Sequence, residues 1–256
     1  MVTDAKSLMK RFVRRTPLYP VHMGSYLRRR YFWREVADLP VHDFESVLDA
    51  GCGAGHYALE FARRYPHLRV VGYDLKAEFT QQRAPHLRLE HRDLLLMNDE
   101  ESYDFVYSID VLEHIPDNHK VIANIHRALK PGGYFYLHMP YDYPRKRILP
   151  AHLFLDFEQW ARSEHIGRQY DLEGACRLLA KEGFDILRSR HTFGFLGELT
   201  WELDRLADGH LYFRTLIAPL LRAMGRLAVR IPASSGNVLV VARRCAKPQF
   251  RIARAV

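Results

Sequence analysis

The chain has 256 residues, 48% of them hydrophobic, which is enough to bury a sizeable core and fits one elaborated globular domain. No apolar run is long enough to cross a membrane and no secretion signal begins the chain, so we expect neither a membrane-spanning nor a secreted protein. The three cysteines are too far apart for a zinc or redox pair and favour the cytoplasm, while the net charge of +8 requires either an anionic partner or a solvated basic face.

Short apolar segments alternate with helical patterns along the chain, which predicts a parallel sheet covered by helices on both faces. The predicted fold class is therefore α/β: a Rossmann-like, doubly wound, seven-stranded, mostly parallel sheet. It carries an N-terminal helical extension and an insertion between the last two strands. The predicted strands cover residues 46–50, 69–74, 87–91, 105–108, 134–138, 185–188 and 237–242.

Two helices are predicted between these strands. One runs from about His56 to Tyr65, where Pro66 stops it, and in the other Asn118 is expected to cap a helix that Pro131-Gly132-Gly133 closes. Residues 1–45 are interpreted as a helical, basic extension and residues 46–256 as the main domain, with a lid over 141–182 and an insertion over 194–236. Such additions carry specificity on folds of this kind.

A glycine-rich turn follows the first predicted strand, with Asp49 before Gly51, Gly53 and Gly55. Glycines let the backbone turn tightly and approach a ligand because they lack a β-carbon. The third glycine of a dinucleotide motif would fall at His56, which disfavours that alternative. Asp49 would repel a pyrophosphate, whereas it would attract the α-ammonium group of a methionine moiety.

Two further acids follow the next two predicted strands. Asp74 ends the second strand, where a carboxylate can accept hydrogen bonds from both hydroxyls of a ribose. Asp93 follows the third, where a carboxylate can accept from an adenine amino group. Each acid alone is better explained as a surface carboxylate or a helix cap, and the order of the three is what indicates a nucleoside site.

This series resembles the class I S-adenosylmethionine-dependent methyltransferases, in particular the subgroup that methylates small molecules, quinones and lipids. The resemblance covers residues 46–140 well and 170–184 more loosely, and its motifs are Asp49-x-Gly51-x-Gly53-x-Gly55, Asp74, Asp93, Tyr103-Asp104-Phe105-Val106, Asp110-Val111-Leu112-Glu113-His114-Ile115 and Leu129-Lys130-Pro131-Gly132-Gly133. It implies that S-adenosyl-L-methionine is the cofactor. The implied cofactor-binding residues are Asp49, Gly51, Cys52, Gly53, Gly55, Asp74, Leu75, Asp93, Leu94 and Asp110.

Methyl transfer from a sulfonium chiefly needs positioning, and a base helps when the acceptor is a hydroxyl. The candidates for this role are His114, Tyr141 and His165, although each of them can equally have a structural role. Asp110 and Glu113 would share a helix face with His114 and could bind a divalent cation, as in the metal-using quinone and RNA 3′-end methyltransferases that this spacing resembles. The alternative is a structural turn, and we predict no metal.

The C-terminal part of the chain is basic: from residue 209 to residue 256 there are nine Arg and Lys and no Asp or Glu. A predicted helix over 211–231 carries Arg222, Arg226 and Arg230 beside an apolar face, and residues 8–15 have a similar mixture. Such a helix can lie on an anionic membrane, or it can pack on the sheet or on a second subunit.

The predicted function is therefore methyl transfer to an oxygen of a hydrophobic small molecule or a lipid-linked acceptor at a membrane surface. We expect a cytoplasmic protein, peripheral on the inner face of the membrane. The alternatives are an RNA methyltransferase and a non-catalytic S-adenosylmethionine-binding protein. No recognised RNA-binding module is present, and cations alone provide only sequence-independent affinity for nucleic acid.

Overall fold

The computed structural model describes residues 22–76, 84–141 and 147–245. These residues form two compact units, which are taken separately. The sheet unit contains residues 37–76, 84–141, 156–191 and 237–245, and the helical unit contains residues 22–36, 147–155 and 192–236. The domain boundaries expected from the sequence, 1–45 and 46–256, stay a prediction.

Seven strands form one sheet in the order β3-β2-β1-β4-β5-β7-β6. Strands β1 to β5 pair in parallel, and β7 is antiparallel to β5, which confirms the predicted mostly parallel, doubly wound α/β fold. The strand order reverses between β1 and β4, and ligands of such sheets bind at the carboxyl ends of the strands beside that point. The strands are β1 Ser46–Ala50, β2 Arg69–Asp74, β3 Leu87–His91, β4 Tyr103–Ile109, β5 Leu129–Met139, β6 Phe184–Phe193 and β7 Gly236–Arg244.

The α-helices of the described segments follow the strands as the sequence pattern indicates. The helix before β6 confirms the looser part of the resemblance, and Asp171 caps it by accepting from the backbone N–H of Gly174 (2.7 Å). The helices are α1 Met23–Val36, α2 His56–Arg64, α3 Asn118–Ala128, α4 Leu155–Glu164, α5 Leu172–Lys181, α6 Gly194–Leu206 and α7 Leu211–Ala228.

The connection between α3 and β5 differs from the prediction. The Pro-Gly-Gly sequence does not close the helix, because α3 ends at Ala128 and residues 131–133 lie inside β5. Leu129 pairs with Tyr103 and Tyr134 pairs with Phe105, so the extra residues of β5 are accommodated in a shift of register. The helix cap was also predicted wrongly: Asp117 accepts from the backbone N–H of Lys120, and Asn118 is the first helical residue.

The core of the sheet unit is built from the inner faces of the central strands and from α3. Val106 and Phe135 are fully buried, and α3 adds Val121, Ile122 and Ile125 at helical spacing. This apolar packing fixes the carboxyl ends of β1, β2 and β4, where the candidate site residues lie.

The helical unit packs α1, α6 and α7 together. At its centre, Asp204 on α6 accepts two hydrogen bonds from the guanidinium of Arg214 on α7 (2.8 and 3.0 Å). Arg214 is therefore a buried structural residue. The prediction that all C-terminal cations form one basic surface is wrong for this residue. None of the described helices combines the length and the apolar composition that crossing a bilayer requires.

Candidate active site

The glycine-rich turn leaves the end of β1 in a conformation that requires glycine at its first position. The backbone N–H groups of Gly51 and Cys52 both donate to the carbonyl of Tyr73 at the end of β2 (2.9 Å each). Gly51 has a φ of +88°, and a β-carbon there would lie 2.3 Å from Cγ2 of Val111. Gly51 is thus required by packing as well as by backbone conformation.

Gly53 differs from Gly51 because it faces open space. Its φ is +50°, and a β-carbon built on it meets no atom within 4 Å. The Gly53 N–H donates to Oδ2 of Asp74 (2.7 Å), which ties the turn to the end of β2. Gly55, with a φ of +73°, is the residue that precedes α2 at its N-terminus. Any ligand in the space beside Gly53 can approach the backbone directly.

Asp49 is a buried carboxylate with unmet bonding capacity. Its residue is only 3% exposed, and among the described residues its Oδ2 has no hydrogen-bond partner. Burial raises the pKa of Asp49 to about 7. Hydrogen bonding with Tyr107 and with the backbone of Ala58 opposes this rise, and the negative charge of Asp74 adds to it. A buried acid of this kind favours a cationic or hydrogen-bond-donating ligand.

Cys52 is enclosed beside this carboxylate. Burial and the neighbouring charges of Asp49 and Asp74 raise the pKa of the Cys52 thiol. Its sulfur therefore stays protonated and serves as a packing surface for the turn rather than as a nucleophile.

The acids after β2 and β3 hold loop backbone in place. Asp74 accepts from the N–H of Lys76 (2.9 Å) as well as from Gly53. Asp93 accepts from the N–H of Leu95 (2.8 Å) and caps a 3-10 turn, so the capping alternative holds for it without excluding a second bond to a ligand. Leu75 is 66% exposed and Leu94 is buried.

Asp110 directly follows β4 and has a strained conformation, with a φ of +52°. Its Oδ1 lies 2.6 Å from Nδ1 of His138, whose side chain is fully buried. The residues after it form a 3-10 turn, Leu112–His114, so the prediction that Asp110, Glu113 and His114 share one face of an α-helix is wrong. A backbone bond from the Asp110 N–H to the His138 carbonyl (2.9 Å) holds Asp110 against β5 and prevents a helix from starting there.

The structure brings together two of the three predicted catalytic residues. The rings of His114 and His165 lie 5.1 Å apart, and ligand atoms of Glu113, His114 and His165 all lie within 4.8 Å of one another. Tyr141 lies just after β5, half-buried against the core of the sheet unit. Among the described residues, it makes neither a hydrogen bond nor a ring contact with these histidines.

The hydrogen bonds of His114 and His165 indicate that the two neutral rings are different tautomers. Nδ1 of His114 lies 2.9 Å from the carbonyl of Glu164, which can only accept, so Nδ1 carries the proton and Nε2 keeps a lone pair in the neutral ring. Nδ1 of His165 lies 3.2 Å from the amide nitrogen of Gln169, which can only donate, so Nε2 of His165 carries the proton. One ring can accept a proton, while the other can donate a hydrogen bond.

Sequence reasoning did not find the pairing of His114 with His165 or of Asp110 with His138. Both pairs join residues far apart in the chain, and no spacing rule connects them. The one available signal was the placement of each histidine near the carboxyl end of a strand or in the following lid. Trp160, whose ring lies 5.9 Å from that of His165, gave no signal at all.

Comparison with known proteins identifies the family. The family model described as a methyltransferase domain matches residues 23–189, which is more than half of the chain. The chain belongs to the class I S-adenosylmethionine-dependent methyltransferases. The predicted family, fold and cofactor are confirmed.

Individual relatives of this methyltransferase share only part of its length. Over 119 residues it is 31% identical to a trans-aconitate 2-methyltransferase of Deinococcus radiodurans, covering 44% of this chain and 45% of the relative. Over 214 residues it is 25% identical to a sterol 24-C-methyltransferase of Kluyveromyces lactis, covering 75% and 56%. The chain thus spans about half the length of these curated relatives.

A solved structure gives the same fold. A phosphoethanolamine N-methyltransferase 2 of Haemonchus contortus, in complex with S-adenosyl-L-methionine, has a TM-score of 0.58 at 22% identity, covering 88% of this chain and 57% of that one. The residues of the present site fit such a cofactor, because the unpartnered Oδ2 of Asp49 requires a donor and the open face of Gly53 leaves space for one.

Proposed function

We propose that this methyltransferase transfers a methyl group from S-adenosylmethionine to an oxygen of a hydrophobic small molecule or lipid-linked acceptor at a membrane surface. The observation that carries the proposal is the buried, unpartnered Oδ2 of Asp49 at the end of β1, next to the open face of Gly53. That pair favours a ligand with an ammonium group over a nucleotide whose phosphates would meet a carboxylate.

Each acid then has a separate role in binding the cofactor. Asp49 accepts from the α-ammonium group, and the backbone at Gly51, Cys52, Gly53 and Gly55 follows the methionine part. Asp74 accepts from the ribose hydroxyls with the lone pairs that its backbone bonds leave free. The remaining contacts that we assign to the cofactor come from Leu75, Asp93 and Leu94 around the adenine and from Asp110 beside the methionine pocket.

When bound, the cofactor supplies a methyl group on a sulfonium sulfur, which is already a good leaving group. The protein must therefore hold the acceptor in line and take up the proton of its hydroxyl group. We assign proton uptake to Nε2 of His114, because the carbonyl of Glu164 fixes the ring in the tautomer that has a lone pair at Nε2. Oε1 of Glu113 lies 3.9 Å from Nε2 and stabilises the imidazolium that results.

His165 has the complementary role. Because Nδ1 accepts from Gln169, Nε2 carries the proton, and we assign to this Nε2–H a hydrogen bond to the acceptor. We place Tyr141 in the wall of the acceptor pocket. A cation held by Glu113, His114 and His165 would need a lone pair from each ring, and the lone pair of His165 is already used.

The membrane contact in the proposal is supported by the helical unit. Helix α7 exposes Leu216, Leu220 and Leu227, which is unusual for a surface that meets only water. The names of the two relatives, one for a sterol and one for a small acid, are compatible with a small-molecule acceptor.

Two measurements test the proposal. Calorimetry with S-adenosylmethionine and S-adenosylhomocysteine should show binding of both. Methyl transfer from labelled cofactor should then label a lipid extract and leave total RNA unlabelled. Label in RNA would support RNA methylation instead, and binding without any labelling would indicate a non-catalytic binding protein.

A matched pair of glycine variants tests the site itself. Gly53→Asp should abolish cofactor binding, because the new carboxylate enters the space beside Asp49. Gly209→Asp is the control: Gly209 lies in the helical unit, also has a positive φ (+87°), and a β-carbon built on it likewise meets nothing within 4 Å. Equal affinity in both variants would remove the glycine turn from the site.

A further inference from the structure

Four arginines line one open cleft of the helical unit. The cleft has a volume of about 490 Å³, and it lies where residues of α1 meet the end of α7. All four arginines are exposed. The lining residues are Arg30, Arg34, Arg226, Val229 and Arg230.

The positive charge of this cleft is not neutralised within the described segments. Arg34 donates to the carbonyl of Val229 (2.5 Å), and the guanidinium of Arg30 lies 5.7 Å from the ring centre of Tyr26. None of the four arginines pairs with a described acidic residue. The negative ends of two helix dipoles offset only about one charge together, against four positive charges.

The geometry of the cleft suits an anion with several oxygens. A sphere of its volume is about 10 Å across, which is close to the screening length at physiological salt, so each guanidinium group acts on the same ligand. Guanidinium groups donate paired hydrogen bonds that match phosphate oxygens. A phosphate group therefore matches the charge of the cleft and the chemistry of its donors.

An exposed apolar face lies beside these arginines on α7. Leu216, Leu220 and Leu227 are 76%, 61% and 51% exposed, and they fall within about 40° of one another around the helix axis. The opposite side of α7 is buried through Ala218, Leu221, Gly225 and Ala228. The packing of α7 within the unit thus leaves the leucine face uncovered.

We propose that this cleft is a binding site for the phosphate of an anionic phospholipid, with the leucine face of α7 entering the acyl boundary of the same membrane. An interfacial helix of this kind combines apolar burial with attraction between arginines and lipid phosphates. The inference rests on the membrane part of the proposed function and is independent of methyl transfer itself.

The test is co-sedimentation of the full chain with phosphatidylcholine vesicles, with and without about one third phosphatidic acid. The double variant Arg226→Gln/Arg230→Gln removes two cleft charges and spares Arg34, which has a structural bond. Since a basic residue near such a surface contributes about fivefold in affinity, binding to the anionic vesicles should fall about 30-fold.

A matched control removes two exposed charges from the sheet unit, as Arg63→Gln/Lys181→Gln, and should reduce binding less than twofold. Equal losses in the two double variants would overturn the proposal in favour of net charge alone. Unchanged binding in the cleft variant would overturn it as well. Circular dichroism must show that both variants are folded.

A third variant separates the lipid from a free phosphate. Leu216→Ser/Leu220→Ser should lose vesicle binding while glycerol 3-phosphate, measured by calorimetry, still binds through the intact arginines. Glycerol phosphate binding without any vesicle binding by the wild-type chain would overturn the assignment to a membrane. S-adenosylmethionine affinity, measured on the same variants, reports independently whether the proposed methyltransferase site is intact.

Discussion

Replacement of Asp49 by Asn should make the stability of the protein without ligand less dependent on pH. Burial raises the pKa of Asp49 from 3.8 to about 7 in the folded protein, so between these values the folded chain holds a proton that the unfolded chain has lost. Stability therefore falls as the pH rises through this window. Compared with a pH low enough to protonate Asp49 in both states, the raised pKa lowers the free energy of unfolding by about 4 kcal/mol above pH 7 and by about 2 kcal/mol at pH 5.5.

The assay is denaturant unfolding of the wild type and of Asp49→Asn at pH 5.5 and at pH 8.5. The other titrating groups are common to both proteins, so their effects cancel in the comparison. The wild type should lose about 2 kcal/mol relative to the variant between these two pH values. Parallel behaviour of the two proteins would refute a buried carboxylate with a raised pKa.

The same variant should bind S-adenosylmethionine about 10- to 150-fold more weakly at pH 8, which is the loss expected for one charge-assisted hydrogen bond. Calorimetry measures this directly. If the affinity of the variant equalled that of the wild type, the α-ammonium group would not be bound by Asp49, whatever the stability data showed.

Further expectations concern the turn, the base, the metal and the buried ion pair. Gly51→Ala should destabilise the fold by about 3 kcal/mol or more in denaturant unfolding, whereas Gly53→Ala should cost about 1 kcal/mol and weaken cofactor affinity. His114→Gln should lower kcat at least about 100-fold at neutral pH. EDTA should leave the rate unchanged, and a loss that added divalent cation restores would indicate a metal centre. Arg214→Met should cost about 3 to 5 kcal/mol, because the buried Asp204 then keeps its bond from the Met23 N–H but loses its guanidinium partner.

The cofactor side of the site was predictable because its signals are local in the sequence. Strands β1, β2 and β3 match the predicted bounds, and the acid assigned to each, Asp49, Asp74 or Asp93, lies at or just after its carboxyl end. In a parallel sheet these strand ends meet at one edge, so the order of the acids along the chain suffices to bring them together. The assignment of individual cofactor contacts stays a prediction.

The acceptor side was less predictable because it depends on tertiary pairing. The turn after β4 was expected to be helical from the spacing of its acids and histidine, but a backbone bond to His138 holds Asp110 against β5. Similarly, Pro131-Gly132-Gly133 is a strong helix-stop signal when considered alone. The pairing of Leu129 with Tyr103 starts the strand two residues before the proline and overrides that signal.

The C-terminal cations show why a charge count cannot identify a partner. Arg214 forms a buried ion pair with Asp204. Arg243 donates to the carbonyl of Gly132, and Arg244 donates to the carbonyl of Leu129. Asp204 neutralises the charge of Arg214 and Glu101 offsets that of Arg244 (3.1 Å), whereas Arg243 is held in place by its carbonyl bond but keeps its charge. Other cations of this stretch, at positions 247, 251 and 254, lie outside the described residues.

Two cations, Arg226 and Arg230, remain exposed together with two arginines of α1, a helix almost two hundred residues earlier in the sequence. No periodicity within 211–231 could reveal that partnership, because half of the cluster comes from the N-terminal part of the chain. A partner is therefore indicated by the positive charge that the fold gathers in one place without a counter-charge. Only this uncompensated charge, and not the net charge of the segment, requires an anionic ligand.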